Sequence, residues 1–392
     1  RNPDLLFAGT ELGVFVSFTG GAGWLPLGNN LPTVPVHDMV IHPRENDLVL
    51  GTHGRGFWIL DDITILEELS AEAMASGTHL AGPRPATQLS YFNRGRSSLG
   101  QSRYTASNPP AGAIISYWIG QETSNATTDE DAVEETPSPE RTPSIEIEIL
   151  DAQGQTVRQL ELPNGGARKG LHRLVWDLRY APAFLPDIEG GTGRGPRGPF
   201  VLPGEYRVRL RQGELEHTRT FLVRGDPAVE ISVADRTRWH DTLLSLHEMI
   251  EVSHAVVTTA RQLEGQIEQV HATLAAHPEV PEPLRARLAD IENALQAILE
   301  EMLGDDADAG ATQPGAPPLN GQVRQLYSAI GASTALPTVE QMQLTRRSYE
   351  LLAEQVDGIN RVLDEDVAEL QRQLDRAGVP WTPGRLVAPP RR

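Results

Sequence analysis

Short runs of alternating apolar and polar residues, cut by glycine turns, fill the opening segment of the chain. Leu5-Leu6-Phe7-Ala8-Gly9-Thr10, Gly13-Val14-Phe15-Val16-Ser17 and Trp24-Leu25-Pro26-Leu27 each predict a strand, because β-branched and aromatic residues at a spacing of two suit a pleated, half-buried surface. Val36-His37-Asp38-Met39-Val40-Ile41 begins a second set, which Asp47-Leu48-Val49-Leu50-Gly51-Thr52 and Gly56-Phe57-Trp58-Ile59-Leu60 continue. Laying Asp4 on Asp47 brings Leu5 onto Leu48, Gly13 onto Gly56 and Phe15 onto Trp58, an internal repeat of about 43 residues, the length of one four-stranded propeller blade. Two blades do not close a ring. Residues 1–70 are therefore expected to be the last blades of a β-propeller whose others precede Arg1 or come from another chain. On this reading Arg1-Asn2-Pro3 is a truncated or processed start, with any export signal upstream.

The β pattern continues over residues 80–228 with longer strands. Ala113-Ile114-Ile115-Ser116-Tyr117-Trp118-Ile119 is one, and Ser144-Ile145-Glu146-Ile147-Glu148-Ile149-Leu150 alternates strictly. Asp151-Ala152-Gln153-Gly154 turns that strand back into Thr156-Val157-Arg158-Gln159-Leu160. Residues 170–178, 204–210 and 217–223 bring the count to the strand density of an immunoglobulin-like or fibronectin-like β-sandwich. Residues 121–143 are acidic, Thr/Pro-rich and poor in large apolar side chains, which predicts a disordered insertion. The Gly/Arg/Pro segment 190–199 is expected to lie near the linked sheets.

After Gly225-Asp226-Pro227 the apolar period lengthens from two to about 3.6. Ser232 followed by Asp235 predicts a helix start, and Leu243, Leu244, Leu246, Ile250, Val257, Leu263, Ile267, Val270 and Leu274 sustain one face to about residue 276. Further helices are expected over residues 282–303, near 323–330, and from the Thr338/Gln341 capping box to about 377. The linker 304–320 and the tail 378–392 flank them. Helices striped on one face bury those stripes on one another, so residues 232–377 predict an antiparallel bundle or hairpin.

Composition removes several function classes. The chain has 53 acidic and 34 basic residues and a formal charge of -19, which repels nucleic acid and anionic lipid alike. Without cysteine there is no disulfide and no thiolate chemistry. No apolar run reaches the roughly 18 residues that span a membrane.

Certain motifs carry a resemblance. Ser17-Phe18-Thr19-Gly20-Gly21-Ala22-Gly23-Trp24 is similar to the Asp-box, Ser-x-Asp-x-Gly-x-Thr-Trp. Ser17, Gly21 and Trp24 match, while Thr19 replaces the aspartate and Gly23 the threonine. The segment Thr52-His53-Gly54-Arg55-Gly56-Phe57-Trp58-Ile59-Leu60-Asp61-Asp62, then Gly170 to Arg179 and Pro203 to Leu210, resembles in order the end of bacterial sortilin-like BNR-repeat propeller proteins, often labelled glycosyl hydrolases. The resemblance implies propeller, sandwich and helical tail. It assigns Ser17, Gly21 and Trp24 a structural turn, and it places the protein outside the cell or in the periplasm.

Candidate chemistry is weighed against structural roles. A sialidase-like centre needs arginines, a tyrosine nucleophile with a carboxylate partner, and an acid. The blades offer Arg44, Arg55, Glu45, Asp61 and Asp62 but no tyrosine, so blade-closing hydrogen bonds and ion pairs are the preferred reading of the candidates His53, Arg55, Asp61 and Asp62. His247, Glu251 and His254 share one helical face with the Glu-x-x-His spacing of carboxylate-bridged metal sites. Such sites also draw ligands from other helices, and the later helices carry no histidine; a polar stripe is preferred. Trp58, Trp118, Trp176 and Tyr206 sit in alternating runs and are assigned to cores rather than to a carbohydrate platform. No cofactor is implied.

The sequence thus points to a non-catalytic binding or scaffold segment that takes a protein partner or self-associates. Part of a sialidase-like hydrolase and a sortilin-type peptide-binding propeller are the alternatives, and carbohydrate stays open as a ligand.

Overall fold

The computed structural model describes residues 2–28, 30–70, 73–74, 77–89, 110–120, 144–162, 168–185, 195–275, 281–304 and 317–379. The expected insertion 121–143, the central part of the linker and nearly all of the tail lie outside them. The chain is mixed β and α and divides into two units. One is Arg1–Ala181 with Phe200–Val229, and the other is Pro182–Pro199 with Glu230–Arg392.

The first unit opens with two antiparallel three-stranded sheets. β1 (Leu6–Thr10), β2 (Gly13–Ser17) and β3 (Leu25–Leu27) form one, and β4 (Val36–Ile41), β5 (Leu48–Thr52) and β6 (Phe57–Leu60) form the other, each in chain order. The repeat expected a fourth strand in each. After β6 the chain instead enters a short helix, α1 (Thr64–Glu68), which buries Ile65 and Leu66.

Strand pairing also revises the repeat by one residue. Phe7 pairs with Val16, whereas its counterpart Leu50 pairs with Trp58. Val16, not Phe15, is thus the equivalent of Trp58, because the β1–β2 and β5–β6 connections differ in length. The same offset sets Gly20 opposite Asp62, and both have left-handed backbones, with φ of 61° and 50°. Inward residues of both sheets, among them Phe7, Val14, Leu48, Leu50 and Leu60, share one apolar core with Ile63, Ile65 and Leu66.

A five-stranded sheet follows, in the order β11 (Thr156–Leu160), β10 (Ile145–Leu150), β13 (Gly204–Gln212), β14 (Leu215–Arg224) and β8 (Ala86–Thr87). A three-stranded sheet has the order β12 (Gly170–Trp176), β9 (Ala113–Ile119), β7 (Thr78–Leu80). Ile115, Tyr117 and Trp176 from the smaller sheet and Ile147, Val208, Leu210 and Phe221 from the larger one share a single core. The expected turn holds: Asp151 Oδ1 accepts from the backbone N–H of Gln153 and Gln155 at 2.9 and 2.8 Å. β12 stops two residues early, since Leu178 has φ 60°.

The second unit contains α2 (Val233–Ala275), α3 (Glu282–Leu303), α4 (Leu319–Gly331) and α5 (Val339–Arg361), which a π-helical turn at Val362–Val367 joins to α6 (Ala368–Arg376). Ser232 Oγ accepts from Asp235 N at 3.1 Å at the start of α2. At the start of α5, Thr338 Oγ1 accepts from Gln341 N and Thr338 N donates to Gln341 Oε1. α2 packs on α3, α4 and α5, burying Leu243, Leu246, Ile250, Val257, Leu263, Ile267, Val270 and Leu274. The described part of segment 190–199 belongs to this second unit, where the Tyr327 hydroxyl donates to the Arg197 carbonyl.

Candidate functional site

A cluster of charged residues lies where β6 leaves its sheet. Asp62 follows that strand in a left-handed conformation and is 3% exposed. Its backbone N–H donates to Asp47 Oδ1 at 2.9 Å. Oδ1 of Asp62 accepts from Thr64 N at 3.2 Å and from the Thr64 hydroxyl. Arg84 Nε lies 3.2 Å from Oδ2 of Asp62, and Arg84 Nη1 lies 3.2 Å from Glu45 Oε2 and 3.7 Å from Asp47 Oδ1. Arg173, on β12, donates through Nη2 to the Asp62 carbonyl at 2.9 Å and through Nε to Ser116 Oγ at 3.4 Å.

Burial lowers the Arg173 guanidinium below its ordinary value, against the attraction of Asp62 and Asp61. Asp61 is half-buried, and burial followed by the charge of Asp47 raises its carboxyl above the ordinary value; Arg173 and Arg84 pull the other way. Among the described residues, the Asp61 carboxylate makes no hydrogen bond or ion pair.

A recess of about 390 Å³ opens beside this cluster, lined by Leu48, Leu50, Trp58, Leu60, Asp62, Leu171 and Arg173 among others. Its walls are the inward face of β5 and β6, the stretch after β3, and the side of β12 that faces away from the core of the larger sheets. Alternation along β12 explains that last wall: Leu174 and Trp176 are buried inward, so Leu171 and Arg173 project to the opposite face.

His53 and Arg55 do not join the cluster. Both are exposed on the β5–β6 connection, where the Arg55 carbonyl accepts from Trp58 Nε1 at 3.2 Å and the His53 ring sits 5.2 Å from that of His37. Asp61 and Asp62 lie beyond the opposite end of β6, and a four-residue strand separates the two pairs by roughly 13 Å. The four residues therefore form no single constellation.

Ser17 is fully buried, and its Oγ accepts from Thr19 N at 3.2 Å and Gly21 N at 2.9 Å. Thr19 Oγ1 accepts from Gly23 N at 2.9 Å. Trp24 is exposed at the end of this turn.

His247, Glu251 and His254 lie on α2. The His247 ring lies 6.0 Å from the Tyr327 ring, Glu251 Oε1 accepts from Phe184 N at 2.8 Å, and His254 Nε2 lies 3.4 Å from Thr258 Oγ1. Among the described residues, no three histidine, aspartate or glutamate side chains gather to hold a metal ion. No described helix is long and apolar enough to cross a membrane. Of the four aromatic residues assigned to cores, Trp176 and Tyr206 are buried, while Trp58 and Trp118 are half-buried.

Sequence reasoning passed over Asp47, Arg84 and Arg173. Asp47 carried a usable signal as the repeat partner of Asp4. Arg173 is a charged residue within a strongly apolar strand, whereas Arg84 joins the cluster only through tertiary folding. No protein-family model matches the sequence, and no curated protein matches it.

Proposed function

We propose that the chain is a non-catalytic binding and scaffold segment of a secreted propeller-type protein. In this reading the first two sheets are ring blades, the next two form a β-sandwich, and the helices form a bundle that carries protein association outside the cytoplasm. The supporting observation is the outward face of the second sheet. Val40, Val49 and Ile59 align across β4, β5 and β6, and Val40, Phe57 and Ile59 are 58%, 81% and 59% exposed. A sheet with apolar residues on both faces is built to be covered on both, and a repeat of sheets supplies a cover of the same kind. Light scattering of the purified chain tests the reading. Self-assembly or a stoichiometric partner, lost on Phe57→Ser with Ile59→Ser, is expected; a strict monomer that retains no partner counts against it.

One observation favours a glycoside hydrolase. Asp61 is a half-buried carboxyl with a raised pKa and no direct partner, the condition of a general acid. Hydrolysis of a glycan panel that Asp61→Asn abolishes would establish that reading; activity unaffected by the substitution removes Asp61 from it.

A further inference from the structure

We propose that the recess beside Arg173 binds a carboxylate carried on an apolar body. The recess has a volume of about 390 Å³, within the roughly 300–1,000 Å³ of small-molecule sites. Aliphatic and indole surfaces form most of its lining, with Asp62 and Arg173 the two charged residues among them.

The two differ in how they are satisfied. The Asp62 carboxylate is held on both oxygens, by Arg84 on one and by Thr64 on the other. Arg173 has a carbonyl and a hydroxyl as partners, and neither carries a counter-charge. Among the described residues, no carboxylate oxygen lies within ion-pair distance of its guanidinium. The guanidinium fork has five N–H donors, and these two bonds leave most of them for another acceptor. Asp62 and Asp61 attract this half-buried guanidinium from beyond ion-pair distance, and a carboxylate in direct contact would add the paired, charge-assisted hydrogen bonds that it lacks.

The recess therefore supplies two halves of one recognition event. Arg173 fixes the carboxylate, while Leu48, Leu50, Trp58 and Leu60 take the apolar remainder. This chemistry belongs equally to a short fatty acid and to the C-terminal end of a peptide that finishes in an apolar residue. The site does not depend on the scaffold reading of the whole chain.

Titration calorimetry of the full chain distinguishes the sources and tests the site. Octanoate, N-acetyl-glycyl-leucine and the neutral octanol are the probes. At least one carboxylate is expected to bind, octanol more weakly by roughly tenfold or more, and Arg173→Met to weaken the carboxylate by a similar factor. The tighter of the two carboxylates identifies the source. Equal affinity for octanol and octanoate, unchanged binding by Arg173→Met, or no binding of either carboxylate at millimolar concentration overturns the proposal. Should Arg173→Met fail to fold, the comparison of the carboxylates with octanol on the unaltered chain decides alone.

Discussion

Arg84 Nε stands 3.2 Å from Oδ2 of Asp62, and this contact joins the stretch after β7 to the exit of β6. The pair is Coulombic rather than hydrogen-bonded, since Arg84 Nε makes no aligned hydrogen bond. Asp62 is almost fully buried, and Arg84 is its ion-pair partner. Arg84→Met is expected to destabilise the chain by about 1–3 kcal/mol, because it removes the ion-pair partner of a buried carboxylate and leaves that carboxylate with Thr64 and the attraction of Arg173. Arg84→Met combined with Asp62→Asn should recover part of that loss. Urea unfolding followed by tryptophan fluorescence measures both, and a double variant no better than the single one would show that the pair does not act as a unit.

A second set of charges sets the response to acid. Burial lowers the His217 imidazole below its ordinary value, assisted by His79 and Arg219, while a hydrogen bond at Thr78 opposes. The unfolded chain therefore takes up the proton first as pH falls through 6.5, the ordinary histidine value. Stability contributed by neutral His217 is complete above that pH and declines as pH drops from there toward the lowered folded value. His217→Gln should flatten the slope of unfolding free energy as pH falls below 6.5. Glu68 acts in a lower window. Burial raises its carboxyl, but hydrogen bonds from His79 and the Gly82 N–H outweigh that and leave it below the ordinary 4.5. Its contribution is thus present above 4.5 and is lost as pH falls through the folded value. An unchanged slope in His217→Gln would reassign the neutral-range response.

Much of this fold is legible in the sequence, and what is not has a physical reason. The capping box at Thr338 and Gln341 and the Asp151 turn are local devices, in which side chains bond to backbone a few residues away, so sequence alone marks them. Helix 282–303 matched because Pro281, the apolar stripe and Gly304 define both ends. β8, by contrast, has only two residues and exists because Val223 and Arg224 of β14 pair with it in parallel, a partnership more than a hundred positions distant. α1 escaped because five residues are too few for a helical period to show in the sequence, and Ile65 and Leu66 find their burial on a single helical turn. The candidate site was only partly legible. Asp61 and Asp62 were visible in the family resemblance, but Arg84 and Arg173 reach them through chain segments remote in sequence.

Gly112 occupies a position that excludes any side chain. Its φ is +134°, and a Cβ there would stand 2.1 Å from the Trp176 carbonyl oxygen, where β9 and β12 pair Ala113 with Trp176. Gly54 also has a positive φ, +77°, but open space around it. Gly54→Ala should cost only the left-handed backbone penalty, about 1–2 kcal/mol. Gly112→Ala carries a similar penalty and must also push two paired strands apart, so its loss of stability should clearly exceed that of Gly54→Ala. Comparable urea midpoints for the two variants would contradict the close approach.

Ser253 presents the opposite case, a polar group whose removal should help. It lies on the buried face of α2, fully excluded from solvent, and among the described residues its Oγ has no hydrogen-bond partner. A hydroxyl moved from water into such a site loses its hydrogen bonds and gains none, at a cost of roughly 1–3 kcal/mol by mutational measures. Alanine keeps the Cβ that fills the helix interface, removes only the oxygen, and is the better helix former by a few tenths of a kcal/mol. The small void left by the oxygen offsets part of this gain. Ser253→Ala is therefore expected to raise stability by up to about 1 kcal/mol. Thermal unfolding monitored by circular dichroism at 222 nm, where helices dominate the signal, should show a higher midpoint. A lower midpoint would mean that the hydroxyl is satisfied in solution, for instance by a bound water or by the carbonyl one turn back along α2.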